Sequence, residues 1–117
     1  MSGLTAHILD LTHGLPASNV KIELYFLSNE ERHLVKTAVT NGDGRLDQPL
    51  LTAADLKIGT YELIFHIGDY FRGKNMALPE PLFLDLVPVR FGIANLDSHY
   101  HVPLLVSPYG YQIYRGS

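Results

Sequence analysis

Ser98-His99-Tyr100-His101-Val102-Pro103-Leu104-Leu105-Val106-Ser107-Pro108-Tyr109-Gly110-Tyr111-Gln112-Ile113-Tyr114-Arg115-Gly116-Ser117 is the stretch whose reading decides the fold. It reads as two strands around a turn at Ser107-Pro108, because proline presets a turn dihedral and neither flank has helical periodicity. Side chains alternate across a strand, so Tyr100, Val102, Leu104 and Val106 share an apolar core face. His99, His101, Pro103 and Leu105 take the other face. Proline donates no ladder hydrogen bond, so Pro103 is expected on an edge or beside a bulge. Beyond the turn, Tyr109, Tyr111, Ile113 and Arg115 point one way, and Gly110, Gln112, Tyr114 and Gly116 the other. The last four residues, Tyr114 to Ser117, are rich in donors and poor in core material.

Working outward, the same alternation recurs. Leu4, Ala6 and Ile8 oppose Thr5, His7 and Leu9, which again sets an imidazole behind an apolar face. Val20, Ile22, Leu24 and Phe26 face inward in a half-buried strand. A polar loop at 29–32 leads into a strand from His33 to Thr40. Asn41-Gly42-Asp43-Gly44 is the strongest turn signal, since glycine supplies positive φ, and Arg45 projects directly after it. Thr52 is expected to cap a short helical turn over 52–56. Tyr61, Leu63, Phe65 and Ile67 mark another strand. A short amphipathic helix is expected from Asp69 to Met76, with Asp69 as its cap. A strand interrupted by Pro88 follows over 84–93. About seven short strands at this spacing predict a mainly β sandwich, a single domain over residues 1–117.

Composition narrows the function. The chain is 46% hydrophobic and 18% charged, with a net charge of −3 and no basic stripe, so nucleic acid is not an expected partner. There is no cysteine, which removes disulfides, thiolate nucleophiles and Cys-zinc sites. No apolar run has the length of a membrane span, and no secretory signal is visible at residues 1–20, so the cytoplasm is the expected compartment.

Taken singly, the candidate side chains are ordinary. His7 reads as a partly exposed strand histidine, and His99 and His101, roughly 6.5–7 Å apart along one face, suit a solvated strand as well as a site. Arg45 alone reads as a surface charge. His13, His33 and His66 fall in a turn or among polar alternates. A zinc site from His7, His99 and His101 is open chemically, although no clear carboxylate stands behind it.

The residues together resemble the transthyretin-related 5-hydroxyisourate hydrolases, whose chains finish in Tyr-Arg-Gly-Ser after a His-Val-Pro-Leu-Leu-x-Ser-Pro segment. Here His101 to Leu105, Ser107-Pro108 and Tyr114 to Ser117 carry the match, supported by Ala6 to Asp10, Gly14 to Ala17, Asp43 to Arg45, Gly59 to Tyr61 and Asp69 to Phe71. Two positions depart from the common pattern: the first block has Leu-Thr-Ala-His where many members have Thr-Thr-His, which leaves the histidine intact, and His13 occupies a turn where small residues are usual. The resemblance implies a sandwich of two four-stranded sheets with one short helix, assembled as a homotetramer. It implies hydrolysis of 5-hydroxyisourate to 2-oxo-4-hydroxy-4-carboxy-5-ureidoimidazoline without metal or other cofactor. The family's site residues fall on His7, Arg45, His101 and Ser117 as catalytic groups, with Arg45, Tyr114, Arg115, Gly116 and Ser117 binding substrate. Transthyretin itself, a hormone carrier on this scaffold, is the alternative. A carrier's channel should be apolar with aliphatic ammonium groups, whereas this chain offers imidazoles and a guanidinium.

Overall fold

The computed structural model describes residues 2–116. Nine strands alternate inward and outward as their sequences dictate: β1 Gly3–Asp10, β2 Leu15–Pro16, β3 Lys21–Ser28, β4 Glu31–Val39, β5 Leu51–Thr52, β6 Gly59–His66, β7 Leu86–Ile93, β8 His99–Ser107 and β9 Gly110–Ile113. One sheet runs β2-β1-β8-β9, with β5 also paired to β1; the other runs β4-β3-β6-β7. The first therefore has five strands rather than the expected four. The addition is small, because β2 pairs with Leu9-Asp10 and β5 with Gly3-Leu4, so two dipeptides share one edge of β1 end to end.

The core lies between the sheets. Leu4, Ile8, Ile22, Leu24, Leu63, Phe65, Leu104 and Val106 are wholly buried, and Tyr61, Phe71, Val87 and Ile93 nearly so. Leu4, Ile8, Ile22, Leu24, Tyr61, Leu63, Phe65, Leu104 and Val106 are inward alternates read from the sequence, and Phe71 comes from the helix. Each such side chain contributes roughly 1.5–3 kcal/mol when removed from water.

The helix lies earlier than expected, at Ile67–Arg72. β6 runs straight into it, and Ile67, Tyr70 and Phe71 at i, i+3 and i+4 supply the buried stripe. Asp69 is inside the first turn, and the helix ends at Gly73. Gly68 is required for its contact with β7's approach, since a Cβ there would strike the Asp85 carboxylate. At 53–55 the chain makes one 3-10 turn, and Thr52 caps it differently from expectation: its hydroxyl donates to the Asp55 carboxylate at 2.8 Å rather than accepting from the backbone.

Two prolines also differ from expectation. Pro88 does not interrupt β7, which is an edge strand and tolerates a missing donor. Pro103 is on an interior strand, buried and in register with His7. Its carbonyl accepts from Tyr114 at 3.4 Å, so its missing N–H lies on the β9 side. The regular ladder stops there, at Leu104 opposite Ile113, and resumes only as a single bridge between His101 and Gly116.

Candidate active site

β1 and β8 pair in parallel, with Thr5 opposite His101 and His7 opposite Pro103. This register gathers Thr5, His7, His99 and His101 on one face of the first sheet, while Leu4, Ala6, Ile8, Tyr100, Val102 and Leu104 line the other. Arg45 arrives from the loop after β4. The Asn41 side-chain oxygen accepts from the amides of Asp43 at 2.9 Å and Arg45 at 3.2 Å, which winds the loop into a compact turn. The amide of Ile8 then donates to the Gly44 carbonyl at 2.8 Å, docking the loop on β1 beside His7. Gly44 has φ +72°, and a Cβ there would run into the Ile8 carbonyl. Only glycine fits both the backbone and the approach.

Thr5, Ala6, Arg45, Leu46, Gln48, His99 and His101 line a cavity of about 240 Å³, and His7 stands beside it rather than in its lining. The His7 and His101 ring centroids are 6.5 Å apart. His7 Nε2 lies 3.0 Å from the Asp43 carbonyl, which only accepts, so Nε2 carries the hydrogen and Nδ1 keeps the lone pair. Burial and then the Arg45 guanidinium hold the His7 pKa below its ordinary value, outweighing the Asp43 contact. Burial, Arg45, His7 and His99 do the same for His101. Both rings are thereby kept neutral near pH 7, the state in which an imidazole accepts a proton. Arg45 is exposed and has no carboxylate partner among the described residues, so its donors are available to an anion.

The tail divides. The Gly116 amide donates to the His101 carbonyl at 2.7 Å, and a Cβ on Gly116 would approach His101 Cδ2 to 2.9 Å. Gly116 is thus pressed against the His101 ring. Tyr114 remains 52% exposed. Arg115 is not brought to the cavity: its guanidinium lies over the Tyr100 ring at 4.1 Å and donates to the His99 carbonyl at 3.2 Å. It lines a neighbouring depression with Ser98, His99 and Gly116. Ser117 lies outside the described residues.

Thr5 and Gln48 were not singled out from the sequence. Thr5 shares the His7 face by simple alternation, but its contact with His101 depends on a parallel pairing between distant segments. The other histidines are engaged elsewhere. His13 Nδ1 meets the buried Asp10 carboxylate at 2.6 Å, and His66 Nε2 meets Glu23 at 2.6 Å. Among the described residues no group of three His, Asp or Glu side chains is arranged to hold a metal. His7 is turned to Asp43, while His99 and His101 both turn to Thr5.

Comparison with known proteins agrees with this architecture. The chain is 60% identical over 114 residues to 5-hydroxyisourate hydrolase 2 of Rhizobium meliloti (strain 1021), covering 97% of this chain and 95% of that protein. The crystal structure of (S)-allantoin synthase superposes with a TM-score of 0.93 at 46% identity, over 99% of this chain and 44% of that one. The 5-hydroxyisourate hydrolase of Klebsiella pneumoniae superposes with a TM-score of 0.82 at 32% identity, over 100% of both chains. The family model described as Transthyretin, HIUase/Transthyretin family, matches residues 4–116, and this chain belongs to that family.

Proposed function

We propose that the chain hydrolyses 5-hydroxyisourate, adding water to open the six-membered ring and yielding 2-oxo-4-hydroxy-4-carboxy-5-ureidoimidazoline in urate degradation. The observation that carries this reading is the pairing of two imidazoles, 6.5 Å apart, with a guanidinium that no carboxylate neutralises among the described residues. Identity of 60% over nearly the whole chain to a protein named as this hydrolase supports it.

The chemistry follows from the side chains. A water between the two rings loses its proton to one imidazole, His7 at Nδ1 or His101 at Nε2, as it attacks the ring carbonyl. Arg45 stabilises the oxyanion that forms, through charge-assisted donors fixed by the Gly44 turn. The ring nitrogen leaves as it takes up a proton, and the new carboxylic acid ionises at neutral pH. Each turnover therefore releases one proton. Gly116, whose amide is anchored on the His101 carbonyl, takes part in holding substrate, with Arg115 supporting the tail through the His99 carbonyl; Ser117 is carried over from the resemblance as a catalytic and binding group. No step calls on a metal.

The working form in this reading is a homotetramer. Leu15, Tyr111 and Tyr114 are 45–52% exposed in the single chain, and they lie on the strands flanking the site-bearing sheet or just beyond them. Apolar groups of this size near a site are better matched to an interface than to water. Light scattering at micromolar concentration tests the assembly. The activity is tested by generating 5-hydroxyisourate from urate with urate oxidase and following the intermediate's absorbance after the chain is added. Decay no faster than in buffer alone refutes the assignment.

A further inference from the structure

Behind the water-activating face, one hydroxyl stands between two imidazoles. Thr5 Oγ1 is 2.8 Å from His101 Nδ1 and 3.1 Å from His99 Nε2. A hydroxyl has one hydrogen to donate, together with lone pairs to accept. Thr5 Oγ1 has no third partner among the described residues, so its own hydrogen is used only when it donates to one ring and accepts from the other. Of the two facing nitrogens in the neutral pair, one therefore carries hydrogen and the other does not. Changing one ring's state forces the opposite change on the other.

We infer that Thr5 is a positioning residue that couples His101 to His99 as a proton relay between the cavity and a second opening. The relay rests on the hydrolase reading above. His101 takes a proton at Nε2, and its Nδ1 hydrogen passes to Thr5 Oγ1. The hydroxyl's own hydrogen passes to His99 Nε2, and His99 gives up its Nδ1 hydrogen to water. The hydroxyl is unchanged, no electrons move, and each ring has switched tautomer; when His101 hands its Nε2 hydrogen to the leaving ring nitrogen, the same chain runs in reverse and restores both rings. The positions suit that direction. His99 lines both the catalytic cavity and the adjoining depression formed with Ser98, Arg115 and Gly116. Its Nδ1 lies on the side of Gly3, where a Cβ would stand 3.7 Å away and none is present. The charged and titratable groups around the pair are His7 from β1, Arg45 from the 41–45 loop and Arg115 from the tail. Burial and the Arg45 guanidinium disfavour a proton lingering on His101.

The test uses the full chain and three variants. Thr5→Val keeps the shape and removes the hydroxyl; Thr5→Ser keeps the hydroxyl; His99→Gln breaks the far end. At saturating 5-hydroxyisourate, Thr5→Val and His99→Gln should each lower kcat by about tenfold with KM little changed. Added imidazole should raise the kcat of both, after subtraction of its rate without protein, and Thr5→Ser should recover most of the parental turnover. Thr5→Val that turns over like the parent, or that loses activity without imidazole rescue, overturns the relay. A second readout needs no substrate. In 15N NMR of the ligand-free parent, the facing nitrogens of His99 and His101 should be in opposite states, and a titration of one ring should move the other only while Thr5 is present. Both nitrogens protonated, or both bare, also overturns it. An inactive parent with this NMR signature would instead refute the hydrolase assignment while leaving the coupled pair intact.

Discussion

Replacing Gly44 with alanine should damage both stability and activity, for separable reasons that two other glycines control. At φ +72°, an L side chain costs about 1–2 kcal/mol of backbone strain. The new Cβ would also collide with the Ile8 carbonyl, which accepts from the Ala17 amide at 2.9 Å, while the Gly44 carbonyl accepts from the Ile8 amide at 2.8 Å. Moving apart loosens both bonds, each contributing about 1 kcal/mol. The total of about 3–4 kcal/mol corresponds to a fall in Tm of about 12–16 °C for a domain of this size. Gly14 has φ +71° but open space where a Cβ would go, so Gly14→Ala isolates strain and should lower Tm by about 4–8 °C. Gly42 also faces open space, and Gly42→Ala should change stability by about 0.5 kcal/mol or less. Only Gly44→Ala shifts Arg45, so it alone should lower kcat/KM, by something on the order of 10²-fold. Calorimetry and the 5-hydroxyisourate assay on the three variants decide the matter. Gly44→Ala that melts with Gly14→Ala and retains its kcat/KM would refute the claim that this contact positions the guanidinium.

Because burial and then Arg45 hold His7 and His101 below 6.5, the neutral bases persist into mild acid, and the acid limb of kcat/KM should lie below pH 6.5. Arg45→Gln should move that limb upward and lower kcat/KM by roughly 10²-fold, both readable from one pH profile. Tyr70→Phe removes a 2.7 Å donor from the buried Asp10 carboxylate and should cost about 1–3 kcal/mol in denaturant unfolding at pH 7. Burial pushes Asp10 upward, but the Tyr70 and His13 hydrogen bonds prevail and leave it depressed, so this stability is present above 3.8 and lost as pH falls through the folded value. The gap between parent and variant should therefore narrow below that pH. Deleting residues 114–117 should abolish most turnover while lowering Tm modestly, since Tyr114 and Gly116 are each held by one backbone bond and Arg115 by one hydrogen bond and its stacking on Tyr100, none of them core packing. Full activity in the truncated chain would remove the tail from the site.

Most of the sandwich was legible because its strands are half-buried, and period-two alternation survives wherever one face is dry. Val20 to Phe26 and Tyr100 to Val106 read correctly for that reason. The helix shifted because Asp69 looked like a cap, yet the buried Ile67, Tyr70 and Phe71 outweighed a surface carboxylate. Pro103 misled because a missing donor suggests an edge; inside a sheet the same defect is tolerated by ending the ladder early. His7, Arg45 and His101 were recognised through their motif blocks, whereas Thr5 and Gln48 lie at a convergence that only the register creates. Arg115 was grouped with its neighbours in sequence, but alternation sends it over Tyr100. His13, assigned no role from its turn, holds Asp10 against the helix through the carboxylate that Tyr70 shares.

The parallel pairing of β1 with β8 has a consequence for how the protein is made. Thr5 and His101 touch across 96 residues of chain, so the cavity joins strands β1 and β8, with all of β2 to β7 lying between them in sequence. Closing such a span costs about 4 kcal/mol of chain entropy before any contact repays it. On the ribosome β1 must wait, its neighbouring lane vacant, until β8 has emerged from the exit tunnel. The second sheet needs no such delay, since β3, β4, β6 and β7 are joined antiparallel and close in order. Folding should therefore proceed from that sheet to the site, and catalytic competence should arise only when β1 and β8 have met. Any nascent or prematurely ended chain lacking β8 is then inert by construction, whatever structure its middle has acquired.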